Sequence, residues 1–221
     1  MENYTINLLK GLYQLADKKN AIAMSKYMRN QFDFFGIKTP ERREFLKNYI
    51  GREGLPNEGD FHVITNELWT QPYREGQYCA IELLAKNKRN WKKKDLTYFI
   101  QLATQKSWWD SVDAIQARLI GPYFEIFPEE LIPITKKWNK SDNIWLQRLS
   151  IIAQLSFKEK TNEDLLFGHI LYRADSKEFF VQKAIGWSLR QYARTKPKEV
   201  WTFVQNSQLQ PLSRREALKH F

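Results

Sequence analysis

A short helical pattern recurs along this chain at intervals of 35 residues. Segments beginning at residues 43, 78, 113, 148 and 183 read REFLKNYI, YCAIELLA, DAIQARLI, RLSIIAQL and KAIGWSLR, and REALKHF follows from residue 215, 32 residues later. A pair of helices that repeats at this interval is typical of an α-solenoid, in which each pair buries its apolar face against its neighbours. The first residues of the copies form a column of Arg43, Tyr78, Asp113, Arg148, Lys183 and Arg215.

Helix signals extend over the whole chain, and few windows alternate with the period of a strand. We therefore predict an all-α fold of about a dozen helices, arranged as a solenoid of about six HEAT-like pairs in one domain over residues 1–221. Three places have the spacing of helix N-termini. They are Thr39 before Pro40, Thr161 with Asp164, and Ser213 with Glu216.

Residues 106–121, KSWWDSVDAIQARLIG, predict a single amphipathic helix that ends at Gly121 and Pro122. Within it, Trp109 and Asp113 are four residues apart, so that an indole and a carboxylate lie on one face. Asp113 is the one carboxylate of the column, and we expect the neighbouring cations to keep it ionised at neutral pH.

A second tryptophan, Trp187, lies one helical turn after Lys183. It follows Gly186 in mid-helix, where glycine is unfavourable, which predicts that another part of the chain packs closely there. Two structural alternatives stay open: Asp113 as a counter-ion of Arg148, and Trp109 and Trp187 as core residues. The remaining tryptophans are assigned to packing: Trp69, Trp91, Trp108, Trp138, Trp145 and Trp201.

The charge of the chain favours a polyanionic partner. The net charge is +10, and residues 177–221 contain nine Lys or Arg and three Glu. Clustered cations gain affinity for nucleic acid by releasing phosphate counter-ions, and no basic amphipathic helix with a bulky apolar face favours a membrane. A single cysteine, three scattered histidines and the lack of a phosphate-binding glycine motif predict no metal site and no cofactor. No secretory or membrane segment is visible, which predicts a cytoplasmic protein.

Four segments resemble the AlkD-type DNA alkylation repair glycosylases. They are KYMRNQFDFFGIKTPERR from residue 26, SWWDSVD from 107, WLQRLSI from 145 and EFFVQKAIGWSLRQYA from 178. The resemblance implies a curved stack of HEAT-like repeats that holds duplex DNA in a concave basic groove. It also implies excision of cationic alkylated purines, such as 3-methyladenine and 7-methylguanine, by hydrolysis of the N-glycosidic bond without base flipping.

The same resemblance assigns roles to individual residues. The two tryptophans and the aspartate of the family fall on Trp109, Trp187 and Asp113, its backbone-contacting arginine on Arg148, and an aromatic residue near the lesion on Tyr27. Helix register adds further candidate contacts to DNA, namely Lys183, Arg190 and Arg43. The expected partner is duplex DNA with alkylated purines, bound by a monomer that needs no other protein. The alternatives are a non-catalytic protein that binds damaged or branched DNA and a protein–protein scaffold.

Overall fold

The computed structural model describes residues 2–221, and within them it contains helices and no strand. The prediction of an all-α fold is confirmed. The chain forms two compact units, Met1–Trp91 and Lys92–Phe221. The solenoid of six repeats and the single domain over residues 1–221 stay predictions.

The first unit consists of five α-helices and a short 3₁₀-helix. The α-helices are α1 (Glu2–Gln14), α2 (Lys18–Tyr27), α3 (Thr39–Glu53), α4 (Phe61–Thr70) and α5 (Arg74–Lys86), and the 3₁₀-helix is Lys88–Asn90. Its core includes Leu8, Leu46, Leu68 and Ile81, each no more than 1% exposed. The loop before α3 is held by the fully buried Glu75 of α5, whose carboxylate accepts the backbone N–H groups of residues 35–37. This buried charge is therefore hydrogen-bonded, as burial requires.

The second unit continues from α6 to α14. Its α-helices are α6 (Asp95–Thr104), α7 (Trp109–Ile115), α8 (Gly121–Ile126), α9 (Leu131–Asn139), α10 (Ile144–Ile152), α11 (Glu163–Tyr172), α12 (Phe179–Tyr192), α13 (Pro197–Asn206) and α14 (Pro211–Ala217). A π-helical turn, Gln116–Ile120, joins α7 to α8, and 3₁₀-helices lie at Pro128–Glu130 and Lys158–Lys160. The helices α7, α10, α12 and α14 contact one another in that order. This succession, at the spacing of the sequence repeat, is consistent with a helical repeat.

The predicted helix over residues 106–121 is wrong at both ends. Trp108 is extended, so the helix begins at Trp109. At the other end the chain passes through the π-turn into α8, because Gly121 donates its N–H to Gln116 O and Pro122 lies in the first turn of α8. The π-turn lengthens the hydrogen-bond spacing to five residues immediately before Pro122, which has no N–H to donate, so the helical run continues through the glycine–proline pair.

The three predicted N-termini are also corrected. Lys38, and not Thr39, is the N-cap of α3, and Asn162 rather than Thr161 caps α11 by accepting the N–H of Leu165. Ser213 is inside α14 and buried, and its hydroxyl donates to Gln182 O on α12. The capping-box spacing near the end of the chain thus belongs to residues that bind a neighbouring helix.

The tryptophans assigned to packing divide into two groups. Trp69, Trp91, Trp138 and Trp145 are buried, as predicted, and Trp108 is partly buried. For Trp201 the assignment is wrong, because its side chain is 46% exposed and lies against Phe221.

Two further findings concern the described residues as a whole. None of the helices within residues 2–221 has both the length and the apolar character needed to cross a bilayer. No three His, Cys, Asp or Glu side chains of the described chain come together as a group that could hold a metal ion. The cytoplasmic location and the monomeric state stay predictions.

Candidate active site

The centre of the second unit is an ion pair between α7 and α10. Arg148 donates from Nε to Asp113 Oδ1 and from Nη2 to Asp113 Oδ2, both at 2.8 Å. The arginine side chain is 5% exposed and the aspartate side chain 20% exposed. Two parallel bonds of this kind fix the plane of the carboxylate and require its ionised form. Asp113 is therefore oriented by the protein and still reachable from solvent.

The third donor of Arg148 ties the pair to α12. Its Nη1 donates to the backbone oxygen of Phe180 at 2.7 Å. On the other side, α10 begins at Asn143, whose side-chain oxygen accepts the N–H groups of Trp145 and Leu146. The guanidinium of Arg148, on α10, is thus bound by Asp113 of α7 and by Phe180 of α12. The contact to a DNA phosphate that the resemblance implies for Arg148 stays a prediction.

The pKa of Asp113 is shifted upwards although a cation is bound to its carboxylate. Burial raises the pKa of this carboxyl above its usual 3.8, and the hydrogen bonds and charge of Arg148 oppose that rise. Neighbouring cations do act on Asp113 as expected, but desolvation outweighs them. A carboxylate that is partly desolvated in this way interacts more strongly with a positive charge brought next to it.

The two tryptophans of the predicted site lie on α7 and α12. Trp109 precedes Asp113 by one turn of α7 and is partly buried. Trp187 on α12 is also partly buried, and its ring centroid lies 5.8 Å from Cζ of Arg148. Both side chains are partly buried, and their assignment as site residues and the alternative assignment as core residues both stay predictions.

An aromatic cluster lies next to the ion pair, and the sequence alone did not single it out. The ring centroids of Trp108, Trp145 and Phe180 are 5.0 to 6.0 Å apart. These three residues come from the start of α7, α10 and α12, and Phe180 supplies the backbone oxygen that binds Arg148. The cluster therefore packs the three helices together where Asp113 is held.

A second carboxylate organises the other predicted cations of this unit. Glu216 on α14 binds Lys183 Nζ at 3.1 Å through Oε1 and Arg190 Nη1 at 2.9 Å through Oε2. The pKa of Glu216 is lowered, chiefly by the hydrogen bond from Lys183. Lys183 is 38% exposed and Arg190 21% exposed, so both cations are paired and partly accessible.

The repeat column requires a correction at its last member. Glu216 binds Lys183, whereas Arg215 is an exposed neighbour of that glutamate. Asp113 is therefore not the single carboxylate among the cations of the repeat. An alignment that starts the sixth copy at residue 216 instead of residue 215 would have placed Glu216 in the column.

Two of the predicted DNA contacts, Tyr27 and Arg43, belong to the first unit. Tyr27, the last residue of α2, is 71% exposed. Arg43 on α3 is 48% exposed and binds Glu82 of α5 at 2.7 Å, and Arg42 lies 3.5 Å from the same carboxylate. Glu82 thus pairs with two cations, as Glu216 does in the second unit.

Comparisons with known proteins agree with the resemblance at the level of the family. The family model described as DNA alkylation repair enzyme matches residues 8–221. Among solved structures, a protein from Enterococcus faecalis described as a predicted DNA alkylation repair enzyme is 36% identical to this chain. That alignment covers 93% of this chain and 96% of the other, with a TM-score of 0.88. None of the curated proteins matches the chain.

Proposed function

Because the chain belongs to the DNA alkylation repair enzyme family, we propose that it is a DNA glycosylase acting on cationic alkylated purines in duplex DNA. The substrates that we propose are 3-methyladenine, 7-methylguanine and related cations. One observation carries the proposal. A carboxylate, Asp113, is partly exposed and fixed in orientation by two bonds from Arg148. Trp109 precedes it by one turn of α7, and the ring of Trp187 lies 5.8 Å from Cζ of Arg148.

Hydrolysis of this N-glycosidic bond requires from the protein mainly a negative charge near the sugar and a water held in position. In an N-alkylated purine the base already carries a positive charge, so it leaves without a general acid. When the bond from C1′ to nitrogen breaks, its electron pair neutralises the base, and positive charge develops on the sugar. Asp113 would stabilise that charge and orient the water whose oxygen then bonds to C1′, while one proton of that water passes to the carboxylate and from there to solvent. Electrostatic stabilisation of this kind is most effective where the charge develops in a site with little water.

The indoles act on the same charge. A π-face next to a cation contributes on the order of 0.5–2 kcal/mol, so Trp109 and Trp187 would both favour the sugar cation. With no flipped base to be held in a pocket, selectivity would come from the charge and lability of the lesion. We therefore propose that neutral lesions are poor substrates and that base flipping is not required.

Contacts to the DNA backbone would come from the accessible cations and an aromatic residue. We assign this role to Lys183, Arg190, Arg43 and Tyr27, which keep 21% to 71% exposure. Arg148 is less suited to a phosphate, since Asp113 and Phe180 O take its donors, and we assign it to the positioning of Asp113. We further propose that the helical pairs form a solenoid of six HEAT-like repeats, supported by the order of contact among α7, α10, α12 and α14.

The test is release of 7-methylguanine from methylated duplex DNA. Asp113→Asn keeps the shape of the side chain and removes its charge, and we expect the rate of release to fall by about 10²–10³-fold while DNA binding persists. Asp164→Asn is the matched control, because it makes the same charge change on the exposed start of α11 and should leave the rate unchanged. Full activity of Asp113→Asn would end the glycosylase proposal.

A second candidate function is supported by the same ion pair. Arg148 is 5% exposed, and each of its three nitrogens donates one hydrogen bond within the protein, as in a structural pair between two helices. On this reading the protein binds damaged or branched DNA without cleaving any bond. The wild-type protein then shows salt-dependent DNA affinity and releases no base, which the same assay distinguishes.

A further inference from the structure

The last helix of the described chain is packed against α12 at the position of Trp187. Ser213 on α14 donates to Gln182 O at 3.1 Å, and Glu216 on the same helix binds Lys183 and Arg190. These contacts begin one turn before Trp187 and end one turn after it. The terminal helix therefore contacts α12 on both sides of the tryptophan.

Between these contacts the two helix backbones come unusually close. A Cβ atom added to Gly186 would lie 2.3 Å from Glu216 Cβ and 2.9 Å from the backbone oxygen of Ser213. Only glycine permits this approach, which explains the mid-helix glycine and confirms the predicted close packing. Any larger side chain at position 186 has to move α14 away from α12.

Consecutive residues of α12 thus face different neighbours. Gly186 faces α14, and Trp187, about 100° further around the helix, has its ring next to Arg148 of α10. Because a helix moves as a rigid element, contacts that set the rotation of α12 against α14 also set where the indole stands relative to Arg148 and Asp113.

We infer that Glu216 is a positioning residue of the active site, which through Lys183 and Arg190 fixes α12 so that Trp187 faces the Asp113–Arg148 pair. This inference rests on the proposed function for its consequence in catalysis. Its structural part, the control of Trp187 by α14, does not depend on any activity. Glu216 touches neither the reacting sugar nor the base in this scheme, and its effect passes through Trp187.

The first test compares two matched variants, Glu216→Gln and Glu82→Gln. Each removes a carboxylate that pairs with two cations, and the two side chains are similarly exposed, at 13% and 17%. Glu82 lies in the first unit, which contains neither Trp187 nor Asp113. Glutamine keeps an oxygen that can still accept a hydrogen bond from Arg190, so Glu216→Gln is expected to fold.

Two readouts separate positioning from DNA binding. Under single-turnover conditions with saturating methylated duplex, Glu216→Gln should lower the rate of base release about tenfold, since small displacements at a reacting centre have effects of this order or larger. Glu82→Gln should leave that rate unchanged. Affinity for DNA should change in the same direction in both variants, because each leaves two cations without their carboxylate.

The third readout needs no activity. Fluorine NMR of protein labelled with fluorotryptophan, with the Trp187 signal assigned by Trp187→Phe, should show that signal displaced in Glu216→Gln and unmoved in Glu82→Gln. Gly186→Ala should displace it as well. Gly168→Ala is the control for that substitution, because Gly168 is an exposed residue of α11 with nothing within 4 Å of the added Cβ.

The outcomes for the two proposals are distinct. An unmoved Trp187 signal in Glu216→Gln overturns the positioning role of Glu216, whatever the activity and whatever the result for Gly186→Ala. If the Trp187 signal is displaced in Glu216→Gln and the wild-type protein releases no methylated base, the positioning role is supported and the glycosylase proposal ends.

Discussion

Loss of the arginine from the Asp113–Arg148 pair is the most direct test of how the site is built. We consider Arg148→Met, in which the unbranched methionine side chain replaces the aliphatic stem of the arginine and all guanidinium donors are removed. Two bonds of 2.8 Å to the carboxylate and one of 2.7 Å to Phe180 O are lost together. Asp113 then remains ionised at neutral pH without its partner, or takes up a proton.

The expected loss follows from the burial of these groups. Removing one partner of a buried pair costs about 3–5 kcal/mol, and the 20% exposure of Asp113 places this case near 3 kcal/mol. The unpaired oxygen of Phe180 adds about 1 kcal/mol. Asp113→Asn should cost about 3 kcal/mol as well, because it leaves the guanidinium of Arg148, which is 5% exposed, without its counter-charge while one hydrogen bond to the amide oxygen is kept.

The double-mutant cycle provides the measurement. The free energy of unfolding is obtained from urea titrations followed by circular dichroism for the wild type, the single variants Arg148→Met and Asp113→Asn, and the double variant. The double variant should lose about 2 kcal/mol less than the two single losses added together, because the two residues act on each other. Strict additivity, as for an exposed ion pair, would refute the reasoning that the protein fixes this carboxylate.

Two further predictions concern the other carboxylates. The pKa of Glu216 is lowered in the folded protein by Lys183, so its contribution to stability is present above the usual carboxyl value of 4.5 and is lost as the pH falls through the lowered pKa. Stability measured from neutral to acid pH should therefore fall less steeply in Glu216→Gln than in the wild type, and equal slopes would contradict the assignment. Glu75→Gln replaces one acceptor oxygen by a donor facing the N–H groups of residues 35–37, which should cost about 1–3 kcal/mol in urea unfolding. Exposed Glu44→Gln is its control, and an equally small loss in both would contradict it.

Much of the candidate site could be predicted from the order of residues alone. The spacing of 35 residues places Asp113 and Arg148 at equal positions of consecutive repeats, and the structure joins them by two hydrogen bonds. The alignment also placed Trp187 one turn after Lys183, and the unfavourable glycine in mid-helix predicted the close packing at Gly186. Repeats are informative in this way because residues one period apart lie on neighbouring helices.

The errors of the sequence analysis share a physical origin. The alignment placed Arg215 at the end of the repeat column, whereas Glu216 is the residue that binds Lys183. The helix of residues 106–121 was expected to end at Gly121, where a π-turn continues the helical run. A shift of one residue rotates a side chain by about 100°, so register within a helix decides which residue meets its neighbour. Local signals such as caps and prolines do not carry that information.

The sequence by itself determined that the chain is helical, that its helices recur, and that an acid, two indoles and several cations occupy equivalent places. Local backbone preferences and the spacing of apolar residues suffice for these, because they act over a few turns of one helix. The tertiary structure decided which cation holds which acid, that Arg148 is nearly buried, and that α14 binds on both sides of Trp187. Those outcomes depend on how helices rotate and approach one another, which is set by the packing of the whole unit.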